Sequence, residues 1–291
     1  MPELVPEPPP EFPPSSSPDF ARPTSLPEAL RLLEQGGWRL LAGGTDLYPA
    51  AGSRLGGAVL DLTGIAGLAG IALAGEVRIG AATSWAEIAA ARLPPALLAL
   101  QQAARVVGGR QVQVAGTIGG NLCNASPAAD GVPPLLVLDA EVELLSRAGS
   151  RRLRLAEFLT GPRRTALQPG ELLAAIIIPK SALAGSSAFV KLGARSHLVI
   201  SIAMVAARLE VADGIVTGAA VAVGSCSAVA KRLPAVESAL IGAASARAAD
   251  RVLGADVTAA LSPIDDVRAT AAYRHSAAVE LLRRAVAEAL A

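Results

Sequence analysis

Cysteine is almost absent: Cys123 and Cys226 are the only two among 291 residues. A disulfide framework needs several pairs and an iron–sulfur cluster needs about four thiolates, so the chain can build neither alone. His197 and His275 are the only histidines, which leaves no set approaching the roughly four ligands of a zinc site. Aromatic residues make up 3%, so cores of close-packed aliphatic side chains are expected. An excess of one charge is missing too: 26 lysines and arginines against 25 aspartates and glutamates give a formal +1, with no field that points to nucleic acid or an anionic membrane. No run reaches the roughly 20 apolar residues of a membrane span. The N-terminal MPELVPEPPPEFPPSSSPDF lacks the basic flank and apolar stretch of a secretory signal; its proline and serine predict a disordered tail over residues 1–20. A soluble, cytoplasmic protein of a reducing compartment is expected.

What is present is 52% hydrophobic content in a chain long enough for two or three modest domains. TSLPEALRLLEQGG predicts a helix with Ser25 as N-cap, Pro27 in the first turn, Glu28 at the capping-box position and Gly36 as stop. WRLLAG and AVLDLTGI read as short strands, and IALAGEVRIGAAT as a hairpin turning at Gly75. SWAEIAAARLPPALLALQQAARVVGG reads as two helical pieces broken at Pro94-Pro95. The stretch 114-VAGTIGGNLCNASPAAD-130 begins like a strand, breaks at Gly116 and continues as a loop. Beyond it, PPLLVLDAEVELLSRAGSRRLRLAEFL is expected to form paired strands with a basic turn at Arg151, Arg152 and Arg154, a solvated face or else a docking patch for an acidic partner; ELLAAIIIPK is a buried strand closed by Pro179. A third unit holds three antiparallel strands with a turn at Asp213-Gly214, followed by helices rich in alanine and arginine. The expected boundaries are 21–83, 84–181 and 185–291.

Two loops carry the chemistry. In 41-LAGGTDLYP-49 a strand ends at Gly43 and Gly44, where missing Cβ atoms let successive backbone N–H groups face an anion, with the Thr45 hydroxyl beside them. No Gly-Lys-Ser/Thr follows, so it is not a Walker A loop, and the Rossmann glycine spacing is absent. The second loop repeats the parts: Gly119-Gly120 for close approach, Thr117, Asn121 and Asn124 for hydrogen bonding, and one carboxylate, Asp130. A carboxylate repels diphosphate, so its partner is a hydroxyl or an N–H. Diphosphate plus polyol describes a dinucleotide.

LAGGTDL followed by VAGTIGGNLCNASPAAD, with ELLAAIIIPK and FVKLGAR in matching order, resembles the FAD-binding medium subunit of molybdenum hydroxylases, the family of xanthine dehydrogenase and carbon monoxide dehydrogenase. The resemblance spans nearly everything after residue 20. It implies an α+β fold: a PCMH-type (vanillyl-alcohol-oxidase-like) FAD-binding module of two subdomains, then a C-terminal three-stranded antiparallel sheet with a helical bundle. Carried over by position, Ala42, Gly43, Gly44 and Thr45 meet the diphosphate, with Asp46 and Leu47 next to them. Thr117, Ile118, Gly119, Gly120 and Asn121 hold the diphosphate and ribityl region, and Asn124 and Asp130 hold hydroxyls. Leu173 contacts the cofactor by its backbone, and Lys191 sits near the isoalloxazine, where a cation favours reduced anionic flavin. Gln113 and Val114 replace an arginine-asparagine pair frequent in the family, which puts that pair's contacts in doubt.

The resemblance further implies a subunit that takes electrons from [2Fe-2S] clusters on a small partner, fed by a molybdenum cofactor on a large partner, and passes them to NAD, a quinone or oxygen. Two other functions stay open: a self-contained FAD-dependent oxidase of the same fold, and a non-redox nucleotide-binding scaffold. His197 reads as a surface or hydrogen-bonding residue, with gating of the flavin face as the alternative; His275 reads as structural, and Cys123 as a small buried packing residue, with a redox-active thiol as the alternative.

Overall fold

The computed structural model of the chain describes residues 20–51, 56–196 and 198–291. The expected tail before Phe20 and the alternatives for His197 lie outside the described residues. The first elements are β1 (Phe20–Ala21), α1 (Leu26–Glu34), β2 (Trp38–Leu41), α2 (Leu47–Ala50) and β3 (Ala58–Asp61). β3 runs between β1 and β2, parallel to both. α1 buries Ala29 and Leu33, four residues apart and so on one face, in a small core with Leu60 and Leu68. Its start differs from expectation. Ser25 sits at the N-cap without a side-chain bond, and Glu28 instead accepts from the Thr24 amide at 3.3 Å.

The middle of the chain comprises β4 (Ile71–Ala74), β5 (Glu76–Gly80), α3 (Trp85–Ala90), α4 (Leu98–Val106), α5 (Arg110–Ala115), α6 (Ile118–Asn124), α7 (Val132–Val137), β6 (Glu141–Ser146), β7 (Gly149–Arg154), α8 (Leu155–Phe158), β8 (Leu159–Gly161), β9 (Arg164–Thr165) and β10 (Leu172–Ile178). A five-stranded antiparallel sheet runs β4-β5-β10-β6-β7. β10 is its central strand and every residue of it is buried, which explains the unbroken apolar run LLAAIII. The hairpin at Gly75 forms as expected, but β5 pairs with β10. A boundary at residue 83 therefore cuts through this sheet.

Three further expectations are corrected. The segment read as strand and loop forms two short helices, α5 and α6. Thr117 caps α6, its hydroxyl accepting from the Gly120 amide at 3.0 Å, and that cap closes a helical turn in which the glycines disfavour helix by about 1 kcal/mol each. PPLLV is helix α7, not strand, with Pro133 and Pro134 at its start, where no amide donor is needed. Arg151, Arg152 and Arg154 lie in β7 and not in a turn, paired with Glu171, Glu76 and Glu157.

The last elements are β11 (Ser186–Leu192), β12 (Ala203–Ala212), β13 (Ile215–Gly224), β14 (Lys231–Arg232), α9 (Pro234–Leu240), α10 (Gly254–Ala260) and α11 (Ala271–Ala289). The three expected antiparallel strands are joined by β14, a fourth of two residues. Along β12, Met204 and Ala206 face a core shared with α4 and α7, while Ala203, Val205, Ala207 and Leu209 face a core shared with α11. This two-residue alternation with apolar partners on both faces seats the C-terminal domain on the preceding module. Among the described residues no helix is long and apolar enough to cross a membrane.

Candidate functional site

The two glycine loops meet because Gly43 has no side chain: a Cβ there would stand 1.9 Å from the Ala115 carbonyl oxygen. The end of β2 thus lies directly on the end of α5. Behind the contact stands Trp85, placed by a capping box in which Ser84 accepts from the Glu87 amide and Glu87 from the Ser84 amide. The Trp85 amide donates to the Gly116 carbonyl at 3.1 Å, and a Cβ on Gly131 would stand 2.4 Å from the indole. Glycines at 43, 116 and 131 therefore serve packing, by letting main chain and indole approach.

Between the loops lies a cavity of about 510 Å³, within the roughly 300–1,000 Å³ of small-molecule sites. Ala42, Gly43, Gly44, Thr45, Asp46 and Leu47 form one wall; Thr117, Gly119, Gly120, Asn121 and Asn124 form another, and Leu173 closes it from β10. Ile118 faces the opposite way, fully buried in the core beneath α6. Sequence reasoning missed Arg39, Trp85, Val112 and Leu167, which also line the cavity. Arg39, the lone charge in WRLL, was a legible signal; Leu167, well along the chain, had none.

The loops differ in what their backbones can still bind. In the second, Ile118 N–H donates to Thr83 at 3.0 Å, Gly119 N–H to Ala81 at 2.8 Å, and Gly120 N–H to the Thr117 hydroxyl. In the first, the N–H groups of Gly43, Gly44, Thr45 and Asp46 meet no protein acceptor among the described residues. Both loops were expected to offer free backbone donors to an anion; among these residues the free donors are those of the first. Asn121 Oδ1 is buried with no partner among the described residues, an acceptor that lacks a donor.

Asn124 and Asp46 touch across the loops, Nδ2 donating to Oδ1 at 2.7 Å. Asp130 and Lys191 lie outside the cavity walls. Lys191 Nζ is 2.6 Å from Asp130 Oδ2, and the Ser201 hydroxyl donates to Oδ1 at 2.5 Å. Burial pushes the Asp130 carboxyl up from its ordinary range, and Lys191 and Ser201 pull it back. Lys191 lines another groove, of about 640 Å³, with Val106, Arg105 and Arg195, while the next residue along, Val107, lines the main cavity. Gln113 donates to the Arg105 carbonyl at 2.8 Å and Val114 is exposed. Cys123 is not a buried packing residue: it is exposed into the cavity, where the surrounding protein pushes its thiol up to about 12.

The free amides of residues 43–46 suit an anion such as a diphosphate, the orphaned Asn121 oxygen suits a hydroxyl or ring N–H, and the apolar walls suit planar rings. Fold and cavity together define a dinucleotide-binding module followed by a separate sheet-and-helix domain. Residues 15–181 match the FAD binding domain in molybdopterin dehydrogenase, and residues 171–289 match the CO dehydrogenase flavoprotein C-terminal domain. The chain belongs to this family, the FAD-binding medium subunits of molybdenum hydroxylases. It is 31% identical to the nicotine 6-hydroxylase medium subunit of Paenarthrobacter nicotinovorans, over 93% of this chain and 96% of that one. It is 32% identical to the carbon monoxide dehydrogenase medium chain of Afipia carboxidovorans, over 94% and 96%. A chain of a crystal structure of the Cu,Mo-CO dehydrogenase superposes with a TM-score of 0.85 at 30% identity, covering 94% of this chain and 98% of that one.

Proposed function

We propose that this chain is the FAD-carrying electron-transfer subunit of a molybdenum hydroxylase complex. The observation that carries the reading is the cavity wall at residues 43–46, where four successive amides stand free in a cavity that Arg39 also lines, its guanidinium donating to the Gly56 carbonyl at 3.0 Å. In this reading Gly43, Gly44, Thr45 and Asp46 bind the diphosphate by their N–H groups, with Arg39 supplying positive charge. Thr117, Gly119, Gly120 and Asn121 form the facing wall, Asn121 Oδ1 accepting from a hydroxyl or ring N–H. Trp85, Val112, Leu167 and Leu173 exclude water from the rings. Asp130 and Lys191 belong to the site if the cofactor extends past Val107 toward the groove that Lys191 lines, and there the ammonium would favour an anionic ring.

FAD supplies two-electron chemistry that can also proceed one electron at a time. The supply of electrons falls to partners. Two cysteines and two histidines cannot ligate [2Fe-2S] clusters, which take about four protein ligands each, so the reading places those clusters on a small partner chain and the molybdenum cofactor on a large one. The medium-chain relatives support this assembly by their names. The final acceptor is NAD, a quinone or oxygen.

The test is the purified full-length chain: flavin absorption bands, as isolated or after incubation with FAD, and co-purification with molybdenum- and iron-containing chains. A protein that stays colourless after FAD incubation sinks the reading. Substrate oxidation by the isolated chain replaces it with a self-contained oxidase.

A further inference from the structure

We infer that Arg163, which does not line the cavity, is a positioning residue for the flavin site, acting through Asn124 on Asp46. Arg163 stands in the turn between β8 and β9 with a positive φ of 58°, a conformation that costs a non-glycine residue on the order of 1 kcal/mol. The turn is held onto α6, the Arg163 amide donating to the Ala125 carbonyl at 2.8 Å. There its guanidinium donates to the Asn124 main-chain carbonyl at 3.3 Å and to Asn124 Oδ1.

The second of these bonds sets the direction of the rest. A guanidinium only donates, so the oxygen end of the Asn124 amide must face it, and the NH₂ end is turned to Asp46, where Nδ2 donates to Oδ1 at 2.7 Å. Asp46 is a wall of the cavity, and its Oδ2 has no hydrogen-bond partner among the described residues. A carboxylate beside a diphosphate seat is unfavourable unless it accepts from a donor. FAD has such donors in its ribose and ribityl hydroxyls and its ring N–H. Arg163 fixes which end of the amide Asn124 presents, and so fixes the Asp46 carboxylate in place as an acceptor. The same chain ties together three segments distant in sequence: the turn after β2, helix α6 and the β8–β9 turn. Neither Arg163 nor Asn124 has another side-chain partner that competes for this arrangement among the described residues.

This inference rests on the flavin reading, and a thermodynamic cycle separates the two. FAD is titrated into the FAD-free full-length chain for the parent protein, Arg163→Gln, Asp46→Ala and the double variant, with circular dichroism and the thermal midpoint of each FAD-free protein alongside. Each single substitution is expected to weaken FAD binding about tenfold, roughly one charge-assisted hydrogen bond. The double variant is expected to lose about tenfold and not a hundredfold, because both substitutions remove one chain of contacts. A merely structural Arg163 predicts losses that multiply. Arg163→Lys, which keeps the charge but not the planar fork, is expected to bind with intermediate affinity, and it replaces Arg163→Gln in the cycle if the glutamine variant does not fold. Parent-like binding by Arg163→Gln, or multiplying losses, overturns the inference. Failure of the parent chain to bind FAD overturns the flavin reading itself.

Discussion

Asp130 and Lys191 form an ion pair of 2.6 Å across the seam between the FAD-binding module and the C-terminal sheet, with side chains only 8% and 11% exposed. Lys191 comes from β11, and Ser201, just ahead of β12, completes the arrangement. Removing one partner of such a pair strands the other charge, at a cost of roughly 3–5 kcal/mol. Asp130→Ala is therefore expected to lower the stability of the FAD-free chain by about 3 kcal/mol as well as to weaken FAD retention. Asp130→Leu combined with Lys191→Met removes both charges and is expected to recover most of the stability. Urea unfolding and FAD titration of the two variants separate the roles: stability restored with FAD binding still lost assigns direct cofactor contact to the pair, and both restored assigns it to the seam alone.

The contact between the two loops depends on a missing methyl group. In Gly43→Ala the new Cβ would lie 1.9 Å from main-chain oxygen, which cannot rotate away, so the loops must separate. The expected cost is about 1–3 kcal/mol, with FAD affinity falling at least about tenfold because the free amides belong to the displaced loop. Gly44→Ala makes a useful contrast. Its φ of +70° adds strain of about 1 kcal/mol, but its Cβ would meet the Tyr48 ring, a side chain that can swing aside. A Gly43→Ala protein with parent-like FAD affinity and thermal midpoint would contradict this account of the loops.

What could be read from the sequence was what is local. Paired glycines after a strand marked one wall of the cavity, and apolar runs such as LLAAIII marked strands buried on both faces. The helix at Ile118–Asn124 escaped because its two glycines mask it, and what sets it is the Thr117 cap and the fit of Gly119 against Ala81. The division of labour between the loops escaped too, since the amides of Ile118 and Gly119 are spent on the carbonyls of Thr83 and Ala81, far earlier in the chain. Asp130 looked like a free hydroxyl acceptor because its partner lies 61 residues away. Residue type and spacing report which groups a loop offers; which of them the fold has already used is written in distant pairings.

Acid should loosen the C-terminal domain through Asp266. The amide of Arg268, then the Arg274 guanidinium and the Ala269 amide, hold its carboxyl at about 2, down from 3.8. A folded-state value below the unfolded one means that this stabilisation is complete above about pH 3.8 and is lost as the pH falls toward 2. Protonation also strips the carboxylate partner from Arg274, which is buried and hydrogen-bonded to Ser225. Urea midpoints measured on either side of this window are expected to drop, and Asp266→Asn is expected to flatten the drop while starting from a less stable protein at neutral pH. An unchanged acid limb in that variant assigns the transition elsewhere.

Cys123 offers a direct report on whether the cavity holds flavin. Its side chain opens into the cavity, and the protein packed around the sulfur shifts the thiol upward, so less of it is thiolate, the form that attacks electrophiles, than in a free cysteine. Iodoacetamide should therefore label Cys123 in the FAD-free chain slowly, at a rate that climbs with pH well past the ordinary thiol range. Cys226 is fully buried, its own thiol raised to about 11, and should react only after unfolding. Adding FAD fills the space through which reagent reaches Cys123 and should slow that residue alone, a site-specific effect that mass spectrometry of the labelled peptides resolves. Labelling that FAD leaves unchanged, in a chain that has taken up the flavin, places the cofactor somewhere other than between the two glycine loops.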